Sequence, residues 1–384
     1  MPNILFISKV KTLSDNCSST DIMTNNLIFG LSQTNNDLTL LLLSDSREEE
    51  VILQKYYNKY AKQVLVLRRF FHEGQSKYRF LLGGIFSLIK RSKYKKELKK
   101  VFNSIKKTEV VVANKVTVDE IIYGDLVKQH LPNVHYYQYW SDPMTLSGIT
   151  RDQFIKMPRR WPFRILESNL LRHSDLIIYG TKTLSLSQVS FFKKYRNKIR
   201  YVDICYSPNT PNKSKEELSS RLLYAGNYYS RIRNIIPLAR SISLQEKYQL
   251  DIYGDGDVNL SEYKGVVAKK RVDRQTLTKI ETHYDAIICV LNRSTVQIPG
   301  KIFYDMQSSK TIIVLTDGPF GNVILEELKA YKRFIVCRNN VSDILELLRT
   351  INLSSPIDLG RIEKEYSPKM IAETLIYGGK TLGI

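Results

Sequence analysis

The residues best suited to chemistry form a proline-glycine-lysine segment, Pro299, Gly300 and Lys301. Proline suits the first turn of a helix, because its ring fixes φ and it lacks the N–H that this turn leaves unpaired. The backbone N–H groups of Gly300, Lys301 and Ile302 would then point out of the helix start, where an anion is stabilised. Lys301 adds a full positive charge, so the segment predicts a phosphate site. An ordinary crossover helix with a solvated pair of Lys301 and Asp305 explains the same residues.

Two arginines near a predicted strand end are candidates for the same task. Gly226 and Asn227 end the run RLLYAGN, and Arg231 and Arg233 follow shortly afterwards. The planar guanidinium group can bond two phosphate oxygens at once, which suits a diphosphate. The spacing does not choose between the two arginines, and either one also fits a surface position.

Further candidates follow three other apolar runs. Gly254 and Gly256 end YQLDIYGDG and permit a tight turn, while Asn292 and Arg293 end AIICVLNR and are candidate contacts to sugar or phosphate. Asp142 follows VHYYQYW in the first half of the chain. Since open α/β sheets bind ligands beyond the carboxyl ends of their strands, Asp142 is a candidate site carboxylate, and it also fits a turn cap before a proline.

The elements that must position these residues alternate between strands and helices. Short apolar runs rich in branched residues indicate strands that are buried on both faces. Such runs recur along the whole chain: NILFIS, LTLLLL, VLVLRRF, EVVVANK, VHYYQYW, RLLYA, YQLDIY, AIICVL and TIIVL. Their alternation with helical segments predicts an α/β protein with parallel sheets.

A chain of 384 residues favours two domains. The stretch 207–217 is rich in Pro, Ser, Asn and charge, which is typical of a linker. We therefore expect an N-terminal domain at 1–206, a C-terminal domain at 218–366 and a final helical segment at 367–384.

The segment IPGKIFYDMQSSKTIIV resembles the donor-binding helix and following strand of GT-B glycosyltransferases, especially the large retaining family 4. The resemblance implies two Rossmann-like domains facing each other across a cleft, with the last helix crossing back to the N-terminal domain. It implies that a nucleoside-diphosphate sugar lies against Pro299, Gly300, Lys301 and Ile302. The ribose-binding acid of the family pattern falls on Tyr304, and Asp305 comes one residue later. We expect Asp305 to take this role because it shares a helical face with Lys301, with Tyr304 as the alternative.

The same resemblance extends to other motifs of the second half. Gly226 and Asn227, with Arg231 or Arg233, match the place of the family's diphosphate-binding residues, and Gly254-x-Gly256 matches its glycine turn. A base-contacting loop would fall at 266–272. Anomeric retention is implied by the family alone, whereas an inverting enzyme would need a general base, for which Asp142 is the candidate.

The net charge of +20 is concentrated in the first half, where residues 1–205 hold 33 Lys and Arg against 18 Asp and Glu. Within 70–107, an aromatic and aliphatic stretch precedes KRSKYKKELKKVFNSIKK. An apolar stretch beside a dense basic one favours an anionic membrane surface as partner. A solvated basic helix packed through Leu98, Val101 and Phe102 explains the same residues.

These observations lead to one principal interpretation and three alternatives. We expect a glycosyltransferase that acts on a lipid-linked saccharide in surface polysaccharide synthesis, located in the cytoplasm as a peripheral protein of the cell membrane. The alternatives are a nucleotide-sugar epimerase of the same architecture, a non-catalytic basic binding protein and a degenerate, inactive transferase. No nucleic-acid-binding module is recognisable. The scattered Cys17, Cys205, Cys289 and Cys337 indicate buried thiols. No DxD-like pair stands where a metal-bound diphosphate would need one, so we expect neither a metal nor another cofactor.

Overall fold

The computed structural model describes residues 2–13, 17–70, 91–144, 161–208, 220–293, 295–355 and 357–383. The chain divides into two compact units. The first comprises Met1–Cys205 together with Tyr366–Ile384, and the second comprises Tyr206–Glu365. Most of the expected linker, and residues 71–90 of the expected membrane-binding stretch, lie outside the described residues.

The first unit contains a seven-stranded parallel sheet in the order β3-β2-β1-β4-β5-β6-β7. Its strands are β1 (Asn3–Ser8), β2 (Asp37–Ser44), β3 (Gln63–Arg68), β4 (Val110–Asn114), β5 (His135–Trp140), β6 (Leu176–Tyr179) and β7 (Ile199–Tyr201). Its helices in the N-terminal part are α1 (Ser19–Ser32), α2 (Arg47–Tyr57), α3 (Arg91–Lys99), α4 (Phe102–Ile105), α5 (Asp119–His130), α6 (Trp161–Leu170) and α7 (Lys182–Phe191). Two 3₁₀ helices follow α6 and α7, at Leu171–His173 and Lys193–Lys198.

The second unit contains a six-stranded parallel sheet in the order β10-β9-β8-β11-β12-β13. Its strands are β8 (Arg221–Ala225), β9 (Gln249–Tyr253), β10 (Val266–Lys269), β11 (Ala286–Val290), β12 (Thr311–Thr316) and β13 (Phe334–Arg338). Its helices are α8 (Ile236–Ser243), α9 (Arg274–Glu281), α10 (Lys301–Tyr304), α11 (Gly321–Ala330), α12 (Val341–Thr350) and α13 (Leu359–Tyr366), whose last residue belongs to the first unit. The last helix of the chain, α14 (Pro368–Ile376), belongs to the first unit.

The central strands are buried on both faces, as expected for sheets covered by helices on each side. All six residues of β12, for example, are buried. In the second unit, one apolar layer joins β8, β9 and β11 to α8 and α12 through Leu222, Ile252, Ile288, Leu238 and Leu348. The carboxyl ends of the parallel strands therefore lie at one edge of each sheet, where the connecting loops carry the candidate residues.

The C-terminal segment packs closely on the first unit. A Cβ added to Gly30 of α1 would lie 2.0 Å from the carbonyl oxygen of Pro368, so the two helices meet backbone to backbone. Beyond α14, the backbones of Tyr201 and Lys380 exchange two hydrogen bonds, of 3.1 and 2.7 Å. The Lys380 ammonium also pairs with Asp203 at 2.5 Å.

The helix expected from Pro299 onward is much shorter than the sequence predicted. Gly300 is its N-cap and α10 makes a single turn. After this turn, backbone carbonyls that a longer helix would pair internally accept hydrogen bonds from the Arg333 guanidinium. The acceptors are Met306 at 2.7 Å, Ser308 at 2.9 Å and Lys310 at 2.8 Å. These carbonyls therefore point toward a buried arginine instead of continuing a helical ladder.

Candidate functional site

Lys301 and Arg233 both lie at the carboxyl end of β8. The ammonium of Lys301 donates to the carbonyl oxygen of Ala225 at 3.2 Å. A guanidinium nitrogen of Arg233 lies 3.5 Å from the position that a Cβ on the next residue, Gly226, would occupy. Two positive side chains from loops far apart in sequence thus converge on one strand end.

The thiol of Cys289, on the neighbouring strand β11, lies close enough to both Lys301 and Arg233 to be affected by their charges. Burial raises the pKa of Cys289 to about 11, and the charges of Lys301 and Arg233 oppose this rise. Asp305 and Glu281 also act on the thiol, with the opposite sign. Glu281, at the end of α9, lies 3.9 Å from the Lys301 ammonium, so the group contains two cations and two carboxylates.

The structure separates the two arginines that the sequence left equivalent. The Nε of Arg233 donates to the amide oxygen of Asn292 at 2.8 Å, and the side chain lies beside Tyr224. Burial raises the pKa of Tyr224 to about 12, while the charge of Arg233 lowers it. Arg231 is exposed, and its charge acts on the exposed Asp257. Arg233 is therefore the arginine held at the end of β8.

Gly254 and Gly256 bring the loop after β9 against the loop after β8. A Cβ on Gly254 would lie 2.1 Å from the carbonyl oxygen of Gly226, and one on Gly256 would lie 2.0 Å from the ring of Tyr228. Both distances are far shorter than any real carbon contact. Any side chain at Gly254 or Gly256 would therefore force these two loops apart. In the loop after β8, the carbonyl oxygen of Asn227 accepts a hydrogen bond from the Tyr224 hydroxyl at 3.0 Å.

Tyr304 and Asp305, the two candidates for a ribose contact, are both buried. The amide of Tyr304 donates to the carbonyl oxygen of Gly300 at 3.2 Å, and its carbonyl accepts from the amide of Ser207 at 3.0 Å. Burial lowers the pKa of Arg333 to about 10, and the charge of Asp305 acts in the opposite direction. Asp305 thus faces an interior arginine as well as Cys289.

The one-turn length of α10 changes the expected source of positive charge. A helix macrodipole needs several aligned peptide groups, and the amide of Ile302 already donates to the carbonyl oxygen of Pro299 at 3.4 Å. The Lys301 side chain, rather than the helix start, is therefore the main positive group of this segment.

Asn292 and Arg293 have different positions after β11. Asn292 holds Arg233, as described above. The guanidinium of Arg293 pairs with Asp317 at 3.3 Å and is about half exposed, at 47% of its side chain. Arg293 therefore contacts the loop that follows β12.

Asp142 lies in the first unit, at the carboxyl end of β5. The ammonium of Lys115 donates to the backbone carbonyl of Asp142 at 3.0 Å and lies 5.4 Å from the centre of the Trp140 ring. The Trp140 indole in turn donates to Gln138 at 3.1 Å. Burial raises the pKa of the Asp142 carboxyl, and the charge of Lys115 lowers it. An Asp with a raised pKa can exchange a proton nearer neutral pH.

Sequence reasoning missed Tyr224, Glu281, Asp317 and Arg333. Glu281, Asp317 and Arg333 are separated by tens of residues from the groups that they contact, so no local spacing pattern could indicate them. Tyr224 lies close in sequence to Asn227 and Arg233, but its residue type and position indicate only a strand residue. Across the described ranges, no His, Cys, Asp and Glu side chains form a group of three that could hold a metal ion. Within the same ranges, no helix has both the length and the apolar composition to cross a membrane.

Comparisons with known proteins agree with this architecture. No family model and no curated protein sequence matches the chain. Among solved structures, sucrose-phosphate synthase from Thermosynechococcus elongatus is similar at 11% identity, with a TM-score of 0.59 over 98% of this chain and 97% of that one. The glycotransferase of kitacinnamycin is similar at 10% identity, with a TM-score of 0.52 over 99% and 96%.

A UDP-N-acetylglucosamine 2-epimerase is also similar at 10% identity, with a TM-score of 0.51 over 98% of this chain and 95% of that one. The chain has a GT-B glycosyltransferase-like fold. The α/β fold class and the GT-B resemblance expected from the sequence are thereby confirmed. Membership of the retaining family 4 stays a prediction.

Proposed function

We propose that the protein transfers a sugar from a nucleoside-diphosphate sugar to a saccharide acceptor, and that the second unit binds the donor. The convergence of Arg233 and Lys301 at the end of β8 carries this proposal. In open α/β sheets ligands bind beyond the carboxyl ends of the strands, and a diphosphate is the natural ligand for two cations held there. The GT-B fold adds independent support, because a glycotransferase and a UDP-N-acetylglucosamine 2-epimerase share it.

The proposed chemistry needs stabilisation of the leaving diphosphate. Positive groups that are fixed before the reaction act most strongly, because they need no reorganisation as charge develops. Arg233 is fixed by Asn292, and Lys301 by the carbonyl of Ala225. In this scheme the loop residues Gly226, Asn227, Gly254 and Gly256 shape the binding surface. A ribose contact by Asp305 or Tyr304 stays a prediction, since both side chains are buried in this structure. Retention is proposed from the family resemblance, and Asp142 is the proposed base if the reaction inverts.

The proposed acceptor is a lipid-linked saccharide, which the protein reaches as a peripheral protein on the inner face of the cell membrane. Helix α3 packs through the buried Tyr94 and Leu98. Seven lysines in the same region are exposed: Lys93, Lys95, Lys96, Lys99, Lys100, Lys106 and Lys107. This lysine surface favours an anionic partner, and such acceptors serve surface polysaccharide synthesis.

The test of donor binding compares the two arginines. Isothermal titration with UDP, GDP, dTDP and CMP identifies the nucleotide, and the Kd of that ligand is then measured for Arg233→Ala and Arg231→Ala. We expect Arg233→Ala to raise the Kd by at least about tenfold, since a charge-assisted hydrogen bond contributes about 1.5–3 kcal/mol. Arg231→Ala, which removes the same charge from an exposed position, should leave it within about twofold. Equal Kd values for both variants would contradict the proposed site.

The similarity to a UDP-N-acetylglucosamine 2-epimerase supports a second candidate function. Incubation of the protein with the nucleotide sugar alone separates the two. A transferase leaves the sugar configuration unchanged until an acceptor is added, whereas an epimerase produces a second nucleotide sugar. NMR of the donor resolves the two outcomes.

A further inference from the structure

Arg233 lies between two residues whose backbone carbonyls are both held by other loops. The carbonyl oxygen of Ile232 accepts from the backbone amide of Arg293 at 2.9 Å. The carbonyl oxygen of Asn234 accepts from the side-chain amide of Asn339 at 2.7 Å. The backbone on either side of Arg233 is therefore fixed from β11 and from β13.

The carboxylate of Asp317 contacts both residues that hold this backbone, Arg293 and Asn339. Asp317 follows β12, which lies between β11 and β13 in the sheet. One oxygen of Asp317 accepts from the side-chain amide of Asn339 at 3.2 Å and pairs with the Nε of Arg293 at 3.3 Å. The other oxygen accepts from the amide of Gly318 at 2.7 Å. Only 15% of the Asp317 side chain is exposed, so solvent screens these contacts less than surface pairs.

The turn beside Asp317 touches Arg293 directly. Gly318 has a φ of +72°, and a Cβ there would lie 1.8 Å from the carbonyl oxygen of Arg293. The loops after β8, β11, β12 and β13 are thus joined at one edge of the sheet. Loss of the Asp317 carboxylate would remove one side-chain contact from Arg293 and one from Asn339 at the same time.

We propose that Asp317 is a positioning residue for Arg233. Through Arg293 and Asn339 it holds the backbone on both sides of Arg233, and so keeps the guanidinium at the end of β8 before a ligand arrives. Preorganisation of this kind raises affinity because binding need not order the loop. The inference rests on the proposed function of Arg233 in donor binding, and it adds a residue two strands away that makes no contact with Arg233.

The chain offers a matched control in Asp257. This carboxylate also holds the loop after β8, since it accepts from the amide and the hydroxyl of Ser230 at 2.7 and 2.9 Å. It lies on the exposed side of the loop, near Arg231. If general loosening of the loop were sufficient, Asp257→Ala and Asp317→Ala would have equal effects.

The experiment measures nucleotide Kd by titration and amide exchange of the loop residues 229–234 by mass spectrometry. We expect Asp317→Ala to raise the Kd about tenfold, about 1.4 kcal/mol, and to speed exchange of the Arg233 amide, which donates to the carbonyl oxygen of Tyr229 at 2.7 Å. Asp317→Asn should recover part of the affinity, because an amide oxygen can still accept from Asn339. Asp257→Ala should stay within about twofold of wild type. If Asp317→Ala lowers the melting temperature too far, Asn339→Ala removes one of the two contacts alone.

The outcomes for this inference and for the proposed function are distinct. If Arg233→Ala weakens binding but Asp317→Ala and Asn339→Ala do not, the positioning role is wrong and the donor site stands. Equal losses in Asp257→Ala and Asp317→Ala would also overturn the positioning role. If Arg233→Ala binds nucleotide as wild type does, the donor site is wrong, and unchanged exchange of the Arg233 amide in Asp317→Ala would then reject the positioning role independently.

Discussion

At the scale of single residues, several ionisable side chains are buried, and Arg333 and Glu120 are two examples. Arg333 is buried and donates hydrogen bonds to the backbone carbonyls of Met306, Ser308 and Lys310, which follow α10 in sequence. In the first unit, Glu120 accepts from the amide of Lys9 at 2.9 Å and from the amide and hydroxyl of Thr117 at 2.8 and 2.7 Å. Such groups are tolerated because their hydrogen bonds offset the loss of solvation.

Glu120 gives a testable pH dependence of stability. Burial, and then the charge of Asp119, raises the pKa of Glu120 from 4.5 to about 7. The folded protein therefore binds more protons than the unfolded chain between these values, so its unfolding free energy falls as the pH rises through 7. Glu120→Gln removes this titration. Relative to wild type, its unfolding free energy should rise by about 3 kcal/mol from pH 4 to pH 8.

Urea unfolding of both proteins across this pH range provides the measurement. The loss of a hydrogen bond in Glu120→Gln shifts the variant's curve by an amount that does not depend on pH, so the difference in slope reports the titration alone. Parallel curves for the two proteins would show that Glu120 titrates at its ordinary pKa.

At the scale of elements, close packing of glycines determines which helices and loops meet. Gly254 and Gly256 bring the loops after β8 and β9 together, and Gly30 brings α1 against the start of α14. The helix α10 is limited to a single turn, and the carbonyls of Met306, Ser308 and Lys310 beyond it accept hydrogen bonds from Arg333 instead of continuing the helix. Tertiary contacts thus override the local helical pattern where the candidate site is formed.

Gly30→Ala tests the contact between α1 and α14. The added Cβ would lie 2.0 Å from the carbonyl oxygen of Pro368, so one helix must move. Overpacking of this kind costs about 1–3 kcal/mol, and we expect a lower free energy of unfolding and faster proteolysis near α14. Gly360→Ala is the matched control, since its Cβ would have an ordinary contact at 3.7 Å with Asp358. Equal stability of the two variants would contradict the close packing of α14.

At the scale of the whole molecule, the positive charge is unevenly distributed, and the proposed anionic partner is inferred from this distribution. The excess of positive charge belongs to residues 1–205, and the exposed lysines after residue 92 form its densest described part. Helix α3 is anchored beneath this surface, because the Tyr94 hydroxyl donates to Asp119 at 2.6 Å and Arg91 pairs with Asp125 at 2.7 Å. The lysine side chains are therefore displayed on a fixed helix.

Co-sedimentation with anionic vesicles tests the lysine surface. Replacing Lys93, Lys95, Lys96 and Lys99 by alanine should reduce binding at least tenfold, since each basic residue near an anionic bilayer contributes on the order of 1 kcal/mol. A control variant removes four exposed lysines of the second unit, Lys264, Lys270, Lys329 and Lys364, with the same change in net charge. Binding that is unaffected by the first replacement, or equally reduced by both, would exclude a specific membrane surface.

The amino-acid sequence by itself determined most of the strands, the α/β class and the GT-B resemblance. It was wrong at 266–272, where a base-contacting loop was expected and the structure has the edge strand β10 paired with β9. The strand tendency of a run such as TIIVL can be inferred locally, because short runs of branched apolar residues are typical of strands covered on both faces. The sequence also identified Gly254, Gly256 and Lys301 as candidate site residues, because glycine permits tight turns and lysine carries a positive charge.

Only the tertiary structure decided which side chains meet at the candidate site. Arg233 and Arg231 are two residues apart and chemically identical, yet only Arg233 is held by Asn292, 59 residues away. That contact exists because β8 lies beside β11 in the sheet, although β9 and β10 separate them in sequence. Strand order depends on the packing of the whole unit, so neither the choice of arginine nor the position of Asp317 is encoded in any local pattern.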